Sequence, residues 1–191
     1  MKAVNALLRQ LDEMLSPAGF HRHKHTWNRR TGGLIDVIDV QLSKGLDGVW
    51  VNAGVLDTEV YARAWLTEPP TFAHEPNCTV RTRLDQLMAK GDGFWSLDDP
   101  LAGEAMAAAI EAFALPFLER LHEPQALERS LESSPQARQH YPPPIIYLAL
   151  LKHRRGEVAE ARRLLLELRS GTNDSWSERV DCVMRDAGLA T

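Results

Sequence analysis

Three consecutive strand-like runs separated by glycine-rich junctions limit the folds open to this chain more than any other feature. They cover Phe20–Arg30, Leu34–Ser43 and Val49–Leu56. Gly32-Gly33 lies in the first junction and Gly45-Leu46-Asp47-Gly48 in the second. Because glycine adopts the positive φ that tight hairpins need, the pattern predicts an antiparallel β-meander.

Helical periodicity flanks the meander on both sides. Residues 3–16 carry an apolar stripe at helical spacing before the first strand. A second run, from about Pro100 to Leu121, predicts a long helix that bends at Pro116. Small and apolar residues at helical spacing form its predicted inner face: Leu101, Ala105, Ala108, Ala112, Leu115 and Leu118. Between these helices, Val60–Leu66 fits either a short helix or a fourth strand.

The last third of the chain is helical in composition. Pro142-Pro143-Pro144 marks a boundary, because proline cannot continue a helix that precedes it. Ile145–Arg154 and Glu157–Arg169, with Gly156 between them, predict a helical hairpin. The small residues at the predicted helix contact and the glycine at the turn resemble one tetratricopeptide unit. A single unit has no binding groove, so packing is the simpler role for it.

These elements together predict an α+β fold. We expect an antiparallel sheet of three to five strands, packed on an N-terminal helix and a long central helix, with a C-terminal helical extension. The predicted division places a sheet domain in residues 1–122 and the extension, with its tetratricopeptide-like hairpin, in residues 123–191.

Composition excludes several classes of protein. The 191 residues carry a formal charge of −4, which gives no overall attraction to nucleic acid or to an anionic membrane. Two distant cysteines, Cys78 and Cys182, form no disulfide framework. No run approaches the roughly 18 apolar residues of a membrane span. We therefore expect a cytoplasmic protein whose partner is neither nucleic acid nor membrane.

The alternating histidines His21, His23 and His25 predict one candidate metal site. On a continuous strand they would share a face, and neighbouring imidazoles of this kind can bind zinc or nickel. A further ligand would come from elsewhere, and the candidates are His74, His122, Asp36 and Asp39. The competing interpretation is an exposed edge strand whose polar side chains discourage aberrant pairing.

The sheet face opposite the helices predicts a candidate binding site. Its residues combine exposed aromatics with amide and guanidinium groups: Trp27, Gln41, Trp50, Asn52, Arg81 and Arg83. Such groups provide directional hydrogen bonds over a flat apolar surface, which suits an anionic or peptide-like partner. The alternative is that the amides tie the strands together while the tryptophans fill the core.

Enzyme motifs are absent from the sequence, which has no phosphate-binding glycine loop, nucleophile elbow, H-E-x-x-H or C-x-x-C. Instead, an ordered series of short motifs runs along residues 5–120: Gly19-Phe20-x-Arg22, Thr26-Trp27-x-Arg29, Val40-Gln41-Leu42-Ser43, Val51-Asn52-Ala53-Gly54-Val55, Cys78-x-x-Arg81-x-Arg83-Leu84 and Phe94-Trp95. This series resembles a bacterial family of unknown function, DUF4304. The resemblance implies an α+β fold and brings no catalytic residues.

The expected function is that of a non-enzymatic binding protein with another protein as its partner. By analogy with proteins of this type and size, it is expected to be an immunity-like or accessory protein of a toxin system. The alternative is a metal-binding protein or metal-dependent hydrolase centred on the three histidines, with zinc or nickel bound there.

Overall fold

The computed structural model describes residues 2–45, 47–89, 93–133 and 141–190, without the side chains of residues 2 and 3. They form two compact units. Unit 1 comprises residues 1–56 and 71–123, and unit 2 comprises residues 57–70 and 124–191. The sequence-based division assigned residues 57–70 to the sheet domain, whereas the structure places them with the C-terminal helices.

Unit 1 is built around an antiparallel sheet. Its strands are β1 (His21–His23), β2 (Thr26–Thr31), β3 (Leu34–Leu42), β4 (Gly48–Asp57), β5 (Val80–Arg83) and β6 (Trp95–Ser96). The order is β1-β2-β3-β4-β5, and β6 pairs with the start of β4. The backbone N–H of Ser43 donates to the carbonyl of Gly48 and closes the β3–β4 hairpin. The predicted meander and the α+β class are confirmed.

The helices alternate with this sheet and then follow it. In chain order they are α1 (Lys2–Leu15), α2 (Thr58–Trp65), α3 (Leu84–Met88), α4 (Ala102–Ala109), α5 (Leu115–Leu121), α6 (Ala126–Ser133), α7 (Pro142–Arg154), α8 (Val158–Gly171) and α9 (Asp174–Asp186). The ambiguous segment Val60–Leu66 is therefore helical. Asp57 explains why, because its carboxylate accepts a hydrogen bond from the N–H of Val60 and caps α2.

The first predicted strand is wrong in one important respect, because it is a hairpin and not a single strand. A two-residue turn at Lys24-His25 separates β1 from β2, and His23 pairs with Thr26 across it. Lys24 adopts a φ of 56°, a conformation that a residue with a side chain seldom occupies. No glycine or asparagine marks this turn, so it could not be recognised from local residue preferences.

The long helix predicted near residues 100–121 is present in modified form. A π-helical segment, Ile110–Ala114, joins α4 to α5 just before Pro116. Proline lacks the N–H that would continue the regular ladder, which accounts for the local change in hydrogen bonding. The predicted inner face is wrong in its first part, where Leu101 and the alanines at 105, 108 and 112 are exposed, whereas Leu118 is buried as predicted. The buried face carries the bulkier residues Met106, Ile110, Phe117 and Leu121 instead.

Unit 2 gathers α2 and α6–α9 into one helical body. The three prolines at 142–144 begin α7, where the missing N–H groups cost no intrahelical hydrogen bond. They mark a helix start, and the expected helical hairpin follows around Gly156, whose φ is 87°. Its likeness to a tetratricopeptide unit stays a prediction. Across the described ranges, no helix has both the length and the apolar content to cross a membrane.

Candidate functional site

The strand register divides the side chains of the unit 1 sheet between two faces. Trp27 pairs with Ile38 and Arg29 with Asp36, on the face that also contacts α1 and the end of α5. We call this the back face. Thr26 pairs with Asp39 and lies on the opposite, front face.

The front face collects five of the six predicted binding residues. Asn52 pairs with Arg83 and Gly54 with Arg81 in adjacent strands. The side-chain amide of Asn52 in turn reaches toward Gln41 on β3. Trp50 lies two residues before Asn52 on β4 and therefore points to the same side.

Trp27 is the sixth predicted residue, and the structure places it on the back face. Its side chain is completely buried, and its indole Nε1 donates to Asp12 Oδ1 on α1 over 2.8 Å. The Arg22 guanidinium lies over the ring at 5.6 Å from its centroid. The register of β2 against β3 explains the error, because Trp27 pairs with Ile38 and therefore shares the buried face of β3. Trp27 therefore anchors the core and is inaccessible to a partner.

A chain of hydrogen bonds runs across the front face. Thr26 Oγ1 donates to Asp39 Oδ1 over 2.7 Å. Asn52 Nδ2 lies 3.5 Å from Asp39 Oδ2 and 3.4 Å from Gln41 Oε1. Thr26 and Asn52 are buried, whereas Gln41 is exposed. The buried amide thus ties neighbouring strands together, which satisfies polar groups that would otherwise be costly to bury.

Arg83, Trp50 and Phe94 form a stacked group beside this chain, which we call the Arg83 platform. The Arg83 guanidinium lies over the Trp50 ring at 5.3 Å from its centroid, and Phe94 tilts against Trp50 at 5.1 Å. Arg83 is exposed and Trp50 is half-buried. In the described parts of the chain, no carboxylate forms an ion pair with Arg83. The platform therefore presents a stacked cation to solvent.

Segment 71–78 covers the other half of the front face. The Asn28 side chain binds the backbone of Ala73 in both directions, donating over 2.9 Å and accepting over 2.6 Å. Arg81 forms an ion pair of 2.7 Å with Glu75 in the same segment. The open remainder, which we call the front patch, consists of the buried Asn52 and the exposed or half-buried side chains around it: Asp39, Gln41, Trp50 and Arg83.

Cys78 ends segment 71–78 and packs against the sheet at Gly54. A Cβ built on Gly54 would lie 2.9 Å from the Cys78 Sγ and 2.8 Å from the carbonyl oxygen of Val80, so only glycine fits there without a shift. Burial raises the pKa of the Cys78 thiol well above its ordinary value, and the nearby charge of Glu75 adds to this. The thiol is therefore neutral and packed, as expected for a structural cysteine.

The three predicted metal-binding histidines do not share one strand face. His21 and His23 lie on β1, while His25 lies in the turn and its carbonyl accepts from the N–H of Val40. The His23 ring meets the edge of Phe72 at 5.5 Å and lies 6.5 Å from His74, centroid to centroid. Among the described residues, no three His, Cys, Asp or Glu side chains are placed to hold a metal ion.

Sequence reasoning missed an ionic cluster on the back face. Asp36 is fully buried and accepts from Arg29 Nε over 2.8 Å, and its other oxygen lies 2.7 Å from His122 Nε2. Arg29 also pairs with Glu119 at 2.5 Å. Burial acts to lower the pKa of Arg29, but the hydrogen bonds and charges of Asp36 and Glu119 outweigh it and raise that pKa. Asp36 within an apolar strand was the available signal, since a buried carboxylate requires a partner.

Comparison with known proteins assigns the chain to a family through the region that contains the sheet. No curated protein and no solved structure matches it. The model of one family, described as a domain of unknown function, matches residues 11–120, which is more than half of the chain. This range includes β1–β6 and every residue of the front patch. The chain therefore belongs to the DUF4304 family.

Proposed function

We propose that this protein is a cytoplasmic binding protein without catalytic activity, and that it holds another protein against the front patch. The observation that carries the proposal is the Arg83 platform, where an exposed cation stacks on a half-buried tryptophan. Tryptophan and arginine are the residues that most often dominate the binding energy of protein interfaces.

The neighbouring polar groups fit the rim of such an interface. Gln41 is exposed and its carbonyl is within reach of Asn52, so its amide N–H groups remain directed to other acceptors. Asp39 is held by Thr26 and Asn52. These groups are already fixed by hydrogen bonds within the sheet, so binding costs little side-chain ordering.

A role beside a bacterial toxin, as an immunity or accessory protein, is the specific form of this proposal. An immunity protein must recognise one partner tightly through a preformed surface, and a rigid sheet supplies such a surface. Co-expression with a toxin encoded nearby tests this form directly. Growth protection that is lost in Trp50→Ala and retained in Arg9→Gln would support it.

Site-specific photo-crosslinking tests the binding surface itself. A benzophenone amino acid replaces the exposed Gln41 in the full chain, and a matched variant carries it at the exposed Arg9 on α1. We expect one discrete adduct in cells from position 41 and none of that mass from position 9. Equal adducts from both positions, or none from position 41, would overturn the proposal.

A further inference from the structure

We infer that the partner inserts a carboxylate side chain, from aspartate or glutamate, onto the Arg83 platform. The inference rests on the proposed function and names the chemistry that would recognise the patch. It follows from the charges on the front face, from the geometry of the stacked guanidinium, and from what surrounds them.

The two arginines of β5 on the front face differ in their ionic contacts. Arg81, the next front-face arginine on β5, is neutralised by Glu75 at 2.7 Å. The carboxylate of Asp39 accepts from Thr26 and lies within reach of Asn52. Arg83 is exposed, and among the described residues none offers it a carboxylate. Arg83 therefore presents a guanidinium without a carboxylate partner among the described residues, and a carboxylate from another protein is its chemical complement.

Stacking leaves the hydrogen-bonding edge of Arg83 available. The cation–π contact with Trp50 uses the face of the guanidinium, with Cζ at 5.3 Å from the ring centroid. The five N–H donors lie in the guanidinium plane and are not consumed by a contact on its face. The pairing that suits such a planar fork is the two-oxygen, bidentate one that carboxylates provide.

A single carboxylate fits this site better than a nucleic acid does. Nucleic acids are held by several cations along their phosphate backbone, and the affinity scales with that number. The front patch offers one such cation, and Asp39 in the same patch would repel a second phosphate. The net charge of −4 adds no long-range attraction for a polyanion.

Nuclear magnetic resonance on the full chain tests the inference with a defined probe. N-acetyl-glutamate N-methylamide is titrated into the protein, and its glutamine counterpart serves as the uncharged control. We expect saturable shifts of the Arg83 Nε–H and Trp50 indole signals with the glutamate probe only. Affinity should fall about tenfold or more in Arg83→Gln, as for a lost charge-assisted hydrogen bond. It should be unchanged in Arg9→Gln, which removes an equally exposed charge.

Each other outcome overturns the inference. Equal shifts with the glutamine probe would show that the patch does not recognise the charge of the carboxylate. The absence of a shift at Arg83 would show that the carboxylate does not bind there. A single-stranded oligothymidylate that shifts Arg83 at concentrations where the glutamate probe does not would identify a nucleic-acid surface. A discrete photo-adduct at position 41 that persists in Arg83→Gln would retain the proposed function while rejecting this inference.

Discussion

The back and front faces of the same sheet each contain a tryptophan in contact with an arginine, but in different environments. Each face has a tryptophan beneath an arginine, Trp27 under Arg22 and Trp50 under Arg83. On the back face the tryptophan is completely buried and hydrogen-bonded to a helix. On the front face the tryptophan is half-buried and its arginine has an open edge.

The carboxylates differ in the same way. Asp36 and Asp39 are three residues apart on β3 and therefore face opposite sides. Asp36 is fully buried between Arg29 and His122, whereas Asp39 is half-buried and meets only neutral donors. For these two aspartates, strand parity thus decides between a buried ionic cluster and a half-buried position on the front face.

The largest expected effect comes from the buried tryptophan. Trp27→Ala should lower the free energy of unfolding by about 5 kcal/mol, the upper end for a large-to-small core substitution. It also removes the donor to Asp12. Urea denaturation followed by circular dichroism measures the change. Trp50→Ala is the matched front-face variant, and its cost should be about 1 to 2 kcal/mol because the ring is only half-buried.

If the two tryptophan variants proved equally destabilising, Trp50 would be a core residue as well. The contrast between the faces would then fail at its central point. A smaller effect at Trp50, with an unchanged circular dichroism spectrum, would sharpen it.

The next effect separates the two aspartates. Asp36→Asn should cost about 3 kcal/mol, because the charge of Arg29 would lose its buried partner while Glu119 still binds its other side. Asp39→Asn should cost about 1 kcal/mol, as for a single neutral hydrogen bond. Chemical denaturation of both variants under the same conditions measures the difference. Equal costs would contradict the assignment of the ionic cluster to the core.

Local pattern was enough to predict the meander but not its first turn. Alternation in residues 34–43 and 49–56, with glycines between them, correctly gave β3, β4 and their faces. The turn at Lys24-His25 uses a lysine at positive φ, a conformation that residues other than glycine disfavour. The helix face near residues 101–112 was misassigned because alanine is compatible with either face, and the few bulky side chains decide which face is buried.

Most of the candidate site was predictable from strand alternation. Gln41, Trp50, Asn52, Arg81 and Arg83 lie on strands whose parity the alternation determines, and the register brings them to one face. Trp27 lies on the other face because it pairs with Ile38 on β3, a pairing that the sequence analysis did not use. The pairing of Arg81 with Glu75 depends on a segment without periodicity, and no local signal revealed it.

A moderate effect is expected where the covering segment meets the sheet. Gly54→Ala would place a methyl group within 3 Å of both Cys78 and the Val80 carbonyl, so we expect a loss of about 2 kcal/mol from overpacking. Cys78 should at the same time become alkylated by iodoacetamide, which its burial otherwise prevents. Gly54→Ala/Cys78→Ala should recover only part of the stability, because the carbonyl contact remains. If Cys78 in Gly54→Ala were alkylated as slowly as in the wild type, the close approach between Gly54 and Cys78 would be contradicted.

The smallest effect on stability, and the most informative, belongs to Arg83. Arg83→Gln should change the free energy of unfolding by less than about 0.5 kcal/mol, as for a surface substitution. Arg29→Gln, its back-face counterpart, should cost about 3 kcal/mol because it leaves Asp36 buried beside a neutral group. Thermal and urea denaturation of the two variants give this comparison. Arg83 stacks on a tryptophan and pairs with no described carboxylate. If it also contributes almost nothing to stability, its role is to bind a partner. A large loss of stability in Arg83→Gln would instead make the platform part of the core.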